Sequence, residues 1–173
     1  MLGLKHNTNL LVDYDPDWET AFAAERIRLA EALGAAARGI EHYGSTAVSG
    51  MKAKPILDIL VGVVPLSAWE TCHDPLIGLG YDCAAQAGVS GHYIFGRGKD
   101  ASERTHLVHV VEFQGESWRS NLAFRDALRR DAALRQAYLE EKQRAVGAAP
   151  DSRARYNEQK QAFIDAAKAR LRW

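Results

Sequence analysis

No run of apolar residues in this chain approaches the ~20 that a helix needs to cross a bilayer, so no membrane span is expected. Cysteine is scarce. Cys72 and Cys83 are the only two, at a spacing that matches no metal-ligand pattern. Two buried free thiols, in the reducing environment of the cytoplasm, are the expectation. The opening residues Met1-Leu2-Gly3-Leu4-Lys5-His6-Asn7 are too few and too polar for a secretory leader. Nothing repeats at a fixed period, and no segment is low in complexity. Net charge is missing as well, 22 Lys and Arg balancing 22 Asp and Glu, but the balance conceals a division. Residues 1–117 carry 9 basic against 15 acidic side chains, and residues 118–173 carry 13 against 7. A basic last third can attract a phosphate-bearing ligand or nucleic acid. Equally, its arginines can lie on solvated helix faces beside nearby acids.

What is present is an ordinary globular composition, 47% hydrophobic and 25% charged over 173 residues. That length suits one domain with its own core. Asp15-Pro16-Asp17-Trp18-Glu19 reads as a helix start, with Asp15 to cap free amides, Pro16 at the first helical position and acids in the first turn. Trp18, Phe22, Leu29 and Leu33 then recur at helical spacing until Gly34. A short strand is expected at Ile40–Tyr43, and the nearly continuous apolar run Pro55–Val63 suits a strand buried on both faces. Trp69, Cys72, Leu76 and Leu79 suggest a helix bent or divided near Pro75. His92–Phe95 and Thr105–Phe113 read as antiparallel strands joined by the long loop Gly96–Glu103. From Trp118 onward the pattern is helical, with a break around Gly147–Pro150 and a last helix from Ser152 to about Arg172. Trp118, Phe124, Tyr138 and Phe163 are expected to pack in the core of these helices. The order predicts one α/β (α+β) domain over residues 1–173, with a core over about 12–117 and a helical tail over about 118–173.

One stretch carries chemistry: Glu41-His42-Tyr43-Gly44-Ser45-Thr46, followed by Lys54-Pro55-Ile56-Leu57-Asp58. A Gly-Ser turn directly after a strand lets backbone approach a phosphate, and the serine hydroxyl adds a donor. Asp58 stands in an apolar strand, where a carboxylate is costly to bury without a cation or strong donors. On Thr105–Phe113, alternation puts His106 and Glu112 on one face and His109 on the other, so the three cannot all meet Asp58. Histidine ligates zinc, manganese or iron better than magnesium, and it also serves as a general acid or base. Lys54, Arg104 and Arg125 can clamp an anion, and Arg97 and Lys99 lie in a glycine-flanked loop able to close over one.

The Gly-Ser turn followed by an acid in a second strand resembles the signature of the nucleotidyltransferase superfamily. More closely, the chain resembles the GrpB family through Val12-Asp13-Tyr14-Asp15-Pro16-Asp17-Trp18, Ile40–Val48, Ala53–Val61 and Arg104–Glu112. Leu122-Ala123-Phe124-Arg125-Asp126 and Tyr156…Lys160…Phe163 extend the likeness, which runs from about residue 12 to 165. The resemblance implies a nucleotidyltransferase-like mixed sheet flanked by helices, with a helical C-terminal segment. It implies that Gly44 and Ser45 hold nucleotide phosphates, with Lys54, Arg104 and Arg125 as further phosphate contacts. Asp58 would bind a divalent ion, Mg2+, or Mn2+ or Zn2+ if a histidine joins it. Asp58, His106 and His109 are the candidate catalytic groups, and Glu112 is the candidate second metal ligand. Two departures stand out. The superfamily's second carboxylate, two residues after Asp58, is Leu60 here, and Leu107 stands where the family pattern has a further histidine. Two functions are therefore expected in competition, with a different metal-dependent or acid/base reaction at the same site as a third. One is a metal-assisted nucleotidyltransferase acting on a nucleoside triphosphate and an unknown acceptor. The other is a non-catalytic nucleotide- or anion-binding protein on a degenerate nucleotidyltransferase fold. The basic tail would also permit nucleic acid contact, without a stacking-aromatic motif to support it.

Overall fold

The computed structural model describes residues 1–84, 89–100 and 102–173. In chain order the elements are β1 (Leu4–Lys5), α1 (Asp17–Leu33), β2 (Gly39–Tyr43), β3 (Leu57–Val63), α2 (Trp69–Gly78), β4 (Asp82–Cys83), β5 (Tyr93–Arg97), β6 (Glu103–Arg104), β7 (His106–Glu112), α3 (Glu116–Arg130), α4 (Ala132–Ala148) and α5 (Arg153–Lys168). α1 begins one residue later than expected, with Pro16 as its N-cap, and the Oδ1 of Asp15 accepts the amide of Asp17 at 3.0 Å. Five strands form a mixed sheet in the order β2-β3-β7-β5-β4. β3 and β7 run parallel, and the other neighbours are antiparallel. β1 and β6 make a separate two-stranded ribbon.

Register decides which residues share a face, because paired residues point the same way and chain neighbours alternate. Ile59, Val61, Val63, Phe95, Val108 and Val110 face α1 and α2, where they meet Leu29, Leu33, Cys72 and Leu76 in the main core. At the rim of that layer the buried carboxylate of Glu25 accepts hydrogen bonds from Tyr81, Arg28 and Arg97 at 2.7, 2.7 and 2.8 Å. The opposite face carries Asp58, Leu60, Leu107, His109 and Val111. Helix α3 covers part of it through Trp118, which packs on Leu60 and Val111. Gly39 and Gly62 stand opposite each other beneath this helix, and a Cβ on either would come within 2.7–2.8 Å of the Trp118 or Phe113 ring. Bare backbone lets both rings lie against the sheet.

The helical tail closes on the segment after β2. Val48 and Met51 share a cluster with Phe124, Leu128 and Tyr138, backed by Phe163 and Ile164. Asn9 pins the α4–α5 connection, its Nδ2 donating to the carbonyls of Ala149 and Ser152 at 2.7 and 3.2 Å. Helix α2 runs undivided through Pro75 to Gly78. Three local expectations need correction. Cys83 is exposed, because β4 is a two-residue strand at the edge of the sheet among the described residues. Arg97 is the last residue of β5 and is held by Glu25, so it does not belong to a closing loop. Asp131 divides the first tail helix in two, its side chain accepting from Leu134 N at 3.0 Å to cap α4.

Candidate functional site

β2 ends at Tyr43, and Gly44 turns the chain with φ 75°, a left-handed angle that costs a side-chain-bearing residue strain. A Cβ at Gly44 would also lie 2.8 Å from Asp58 Oδ2. Glycine here serves the turn and the close approach of the carboxylate at once. A single 3₁₀ turn, Ser45–Ala47, follows. Asp58 is the second residue of β3, opposite Tyr43 in register, with its side chain 33% exposed. His109 reaches the same face from β7, its Nε2 3.6 Å from Asp58 Oδ1. Its Nδ1 lies 3.2 Å from Nδ1 of His92. One of those two nitrogens must carry the proton. If His92 donates, His109 Nε2 bears the hydrogen and presents it to the carboxylate, which is the arrangement the charge of Asp58 favours. Burial, and then His109 and Lys168, push the pKa of His92 down to about 4, so it stays neutral.

Behind the Gly-Ser turn the helical tail brings cations together with Lys54. Lys142 of α4 is 1% exposed, and its Nζ donates to Ser45 Oγ at 3.1 Å and to the Lys52 carbonyl at 2.5 Å. Lys54 donates to Asn9 Oδ1 at 2.7 Å and sits 3.5 Å above the centre of the buried Tyr156 ring. Lys160 approaches the same ring at 5.5 Å. Arg153 opens α5, with its Nε and Nη2 buried and, among the described residues, without a hydrogen-bond partner. Arg153, Tyr156 and Lys160 lie at i, i+3 and i+7, one stripe of the helix. The cations perturb one another. Burial, then Lys160 and Arg153, bring Lys54 down to about 6, and burial, then Lys160, brings Lys142 down to about 7. Burial lowers Lys160, and burial and then Arg104 lower Arg153. The charge of Asp58 opposes these shifts in Lys54, Lys160 and Arg153.

Of the residues singled out in the sequence, the structure brings together Gly44, Ser45, Lys54, Asp58 and His109. It puts His106 on the opposite face, beside Arg97 at 3.2 Å and Thr105 at 2.7 Å, with its pKa lowered to about 4 by burial and then by Arg97. Glu112 stands across from Val63, at the far end of β7 and on the His106 face, well away from Asp58. Arg104 forms a two-pronged pair with Asp82 and borders Arg153. Arg125 is held by Glu41 at 2.8 Å, Asp126 at 2.9 Å and the His42 carbonyl at 2.9 Å, beside the edge strand β2. There it lines a cleft of about 180 Å³ with Glu19, Phe22, Glu41, His42, Ala47 and Arg129, apart from the Asp58 cluster. Lys142, Arg153, Lys160 and His92 were not foreseen as site residues. The basic excess of the last third and the Tyr156…Lys160 spacing were the signals for the three cations.

A magnesium-type ion needs several hard oxygen ligands. The position two residues beyond Asp58 is Leu60, fully buried against Val111 and Trp118, and the carboxylate across from it, Glu41, is committed to Arg125. Among the described residues no three His, Cys, Asp or Glu side chains gather into a group that could hold an ion. With one carboxylate and several cations, the side chains do not fit a two-ion centre. They do fit an anion.

A family model described as GrpB protein matches residues 9–170. The glutamate-rich protein GrpB of Alkalihalophilus pseudofirmus is 32% identical over 168 residues, spanning 95% of this chain and 97% of that protein. The crystal structure of the conserved protein GrpB from Enterococcus faecalis superposes with a TM-score of 0.78 at 29% identity, covering 92% of this chain and 98% of that one. The Cid1 poly(U) polymerase, in its Mg 3'-dATP complex, superposes with a TM-score of 0.52 at 14% identity, over 78% of this chain and 44% of its own. At that identity the likeness is one of fold, and the fold is nucleotidyltransferase-like.

Proposed function

The chain belongs to the GrpB family, and from that premise and the site geometry we propose that it binds the phosphate groups of a nucleotide or a similar phosphorylated small molecule. The ligand's phosphates sit between the Gly44-Ser45 turn and the cations of the tail. The observation that carries this reading is Lys142. A lysine at 1% exposure, donating to the serine of a Gly-Ser turn, places a buried ammonium where a strand-to-turn junction already offers backbone amides. An anion relieves the mutual repulsion of Lys142, Lys54, Lys160 and Arg153, and it supplies the acceptor that Arg153 lacks. The test is thermal unfolding with a panel of nucleotides and of inorganic phosphate, pyrophosphate and tripolyphosphate. A ligand at 100 times its dissociation constant stabilises the native state by about 2.7 kcal/mol. That shift is expected for at least one polyphosphate and is expected to shrink in Ser45→Ala and Lys160→Met. No shift across the whole panel refutes the reading.

A transfer reaction on the same ligand is the second reading, and His109 is what favours it. Its Nε2 is buried 3.6 Å from Asp58 and has no hydrogen-bond partner among the described residues. In the opposite tautomer, with His109 donating from Nδ1 to His92, the bare Nε2 would take the proton from an acceptor hydroxyl as that oxygen attacks phosphorus and pyrophosphate leaves with the bonding pair. Pyrophosphate release from nucleoside triphosphates, measured with a panel of hydroxyl acceptors and abolished in His109→Ala, supports transfer. Binding without release leaves the protein a binder.

A further inference from the structure

Resting on that reading of the site, we propose that Lys54, Lys142, Arg153 and Lys160 themselves neutralise the phosphates, so that the protein recognises a metal-free polyphosphate. The first ground is the ligand set. Leu60 fills the position of a second carboxylate with packed hydrocarbon, Glu41 is spent on Arg125, and Asp58 is left with one imidazole. A hard divalent ion finds too few oxygens there. The second ground is unspent hydrogen-bonding capacity. An ammonium carries three donors, and Lys142 uses two, on Ser45 and Lys52. Arg153 Nε and Nη2 are buried and, among the described residues, unpaired. Lys54 and Lys160 both lie over the ring of Tyr156, a contact that holds their amino groups in place and supplies no counter-charge. Arg153 is the first residue of α5, so the amides of that helix end add positive potential on the same side. Every one of these groups asks for anionic oxygen, and together they occupy the surroundings a metal ion would need to be attracted into.

The roles of Asp58 under the two alternatives have opposite signs, which gives a clean test. The full chain is titrated calorimetrically with tripolyphosphate and with ATP, once in EDTA and once in excess magnesium. Binding is expected in EDTA, and excess magnesium, which sequesters the ligand's charge, is expected to weaken it. Asp58→Asn is expected to bind in EDTA at least as tightly as the parent, because a carboxylate near the phosphates only repels them. Lys160→Met, a partly exposed residue, is expected to lose affinity about tenfold, equal to about 1.4 kcal/mol. Lys142→Met is expected to lose at least as much, and Lys160→Met carries the test if Lys142→Met does not fold. Binding that appears only with magnesium and disappears in Asp58→Asn overturns the proposal while leaving phosphate binding intact. Failure of both probes in both buffers removes the underlying reading of the site, and the proposal with it.

Discussion

Polyphosphate binding at the proposed site is expected to take up protons, and the expected number follows from two lowered lysine pKa values. Burial and crowding by neighbouring cations hold Lys54 at about 6 and Lys142 at about 7 in the free protein. At pH 8 both are therefore mostly neutral, and an anion that restores both charges brings in about two protons; at pH 5.5 it brings in well under one. Affinity then falls as pH rises, by up to about a hundredfold per unit above pH 7 and hardly at all below 6. Calorimetric titration of tripolyphosphate at pH 8, in two buffers of different ionisation enthalpy, counts the protons directly. The same titration of Lys142→Met removes the ligand's own protonation from the difference, which is expected to be close to one proton. An uptake near zero at pH 8, or the same uptake in both proteins, refutes the assignment of these lysines to the ligand. The unliganded protein has the opposite pH dependence. A lysine whose folded pKa lies below its unfolded value binds fewer protons when folded, so its contribution to stability rises from about pH 7 toward the unfolded pKa near 10.4. Unfolding of the free protein should therefore show a stability gain over that window that is smaller in Lys142→Met.

Leu60→Asp, which puts a second carboxylate two residues after Asp58, is expected to cost about 3–5 kcal/mol in urea unfolding, because it buries an unpaired charge between Val111 and Trp118. A loss below about 1 kcal/mol would mean that the position opens to water or finds a cation. Gly44→Ala combines a φ of 75° with a Cβ 2.8 Å from Asp58 Oδ2. It is expected to lower stability by about 1–3 kcal/mol and to weaken anion binding; unchanged binding would detach the turn from the site. Glu25→Leu strands Arg97 and Arg28 and removes the acceptor of the Tyr81 hydroxyl. Its cost is expected near 3 kcal/mol, at the lower end for a broken buried pair because both arginines keep some solvent. A change within about 0.5 kcal/mol, the scale of a surface pair, would contradict that network's weight.

Much of the local structure was legible in the chain. The start of α1 at Asp15-Pro16, the apolar β3 and the break before α5 all rest on interactions spanning a few residues, as does the alternation of His106, His109 and Glu112. Those are interactions that sequence spacing records directly. Gly44 and Asp58 were legible for a similar reason, since a turn and a carboxylate in an apolar strand are each locally expensive and call for a cause. The buried thiol at Cys83 and the loop placement of Arg97 were misjudged, because exposure at a sheet edge and capture by Glu25 depend on strand order. Alternation separated His109 from His106 but could not say which one faces Asp58. That required the parallel register of β7 on β3, set by the packing of both strands on α1 and α2. The cations were the least legible part. Lys142 meets Ser45 across 97 residues of sequence, and on its own helix it looks like any solvated lysine. Only the closure of α4 and α5 over the turn buries it, and burial is what turns a surface charge into a demand for an anion.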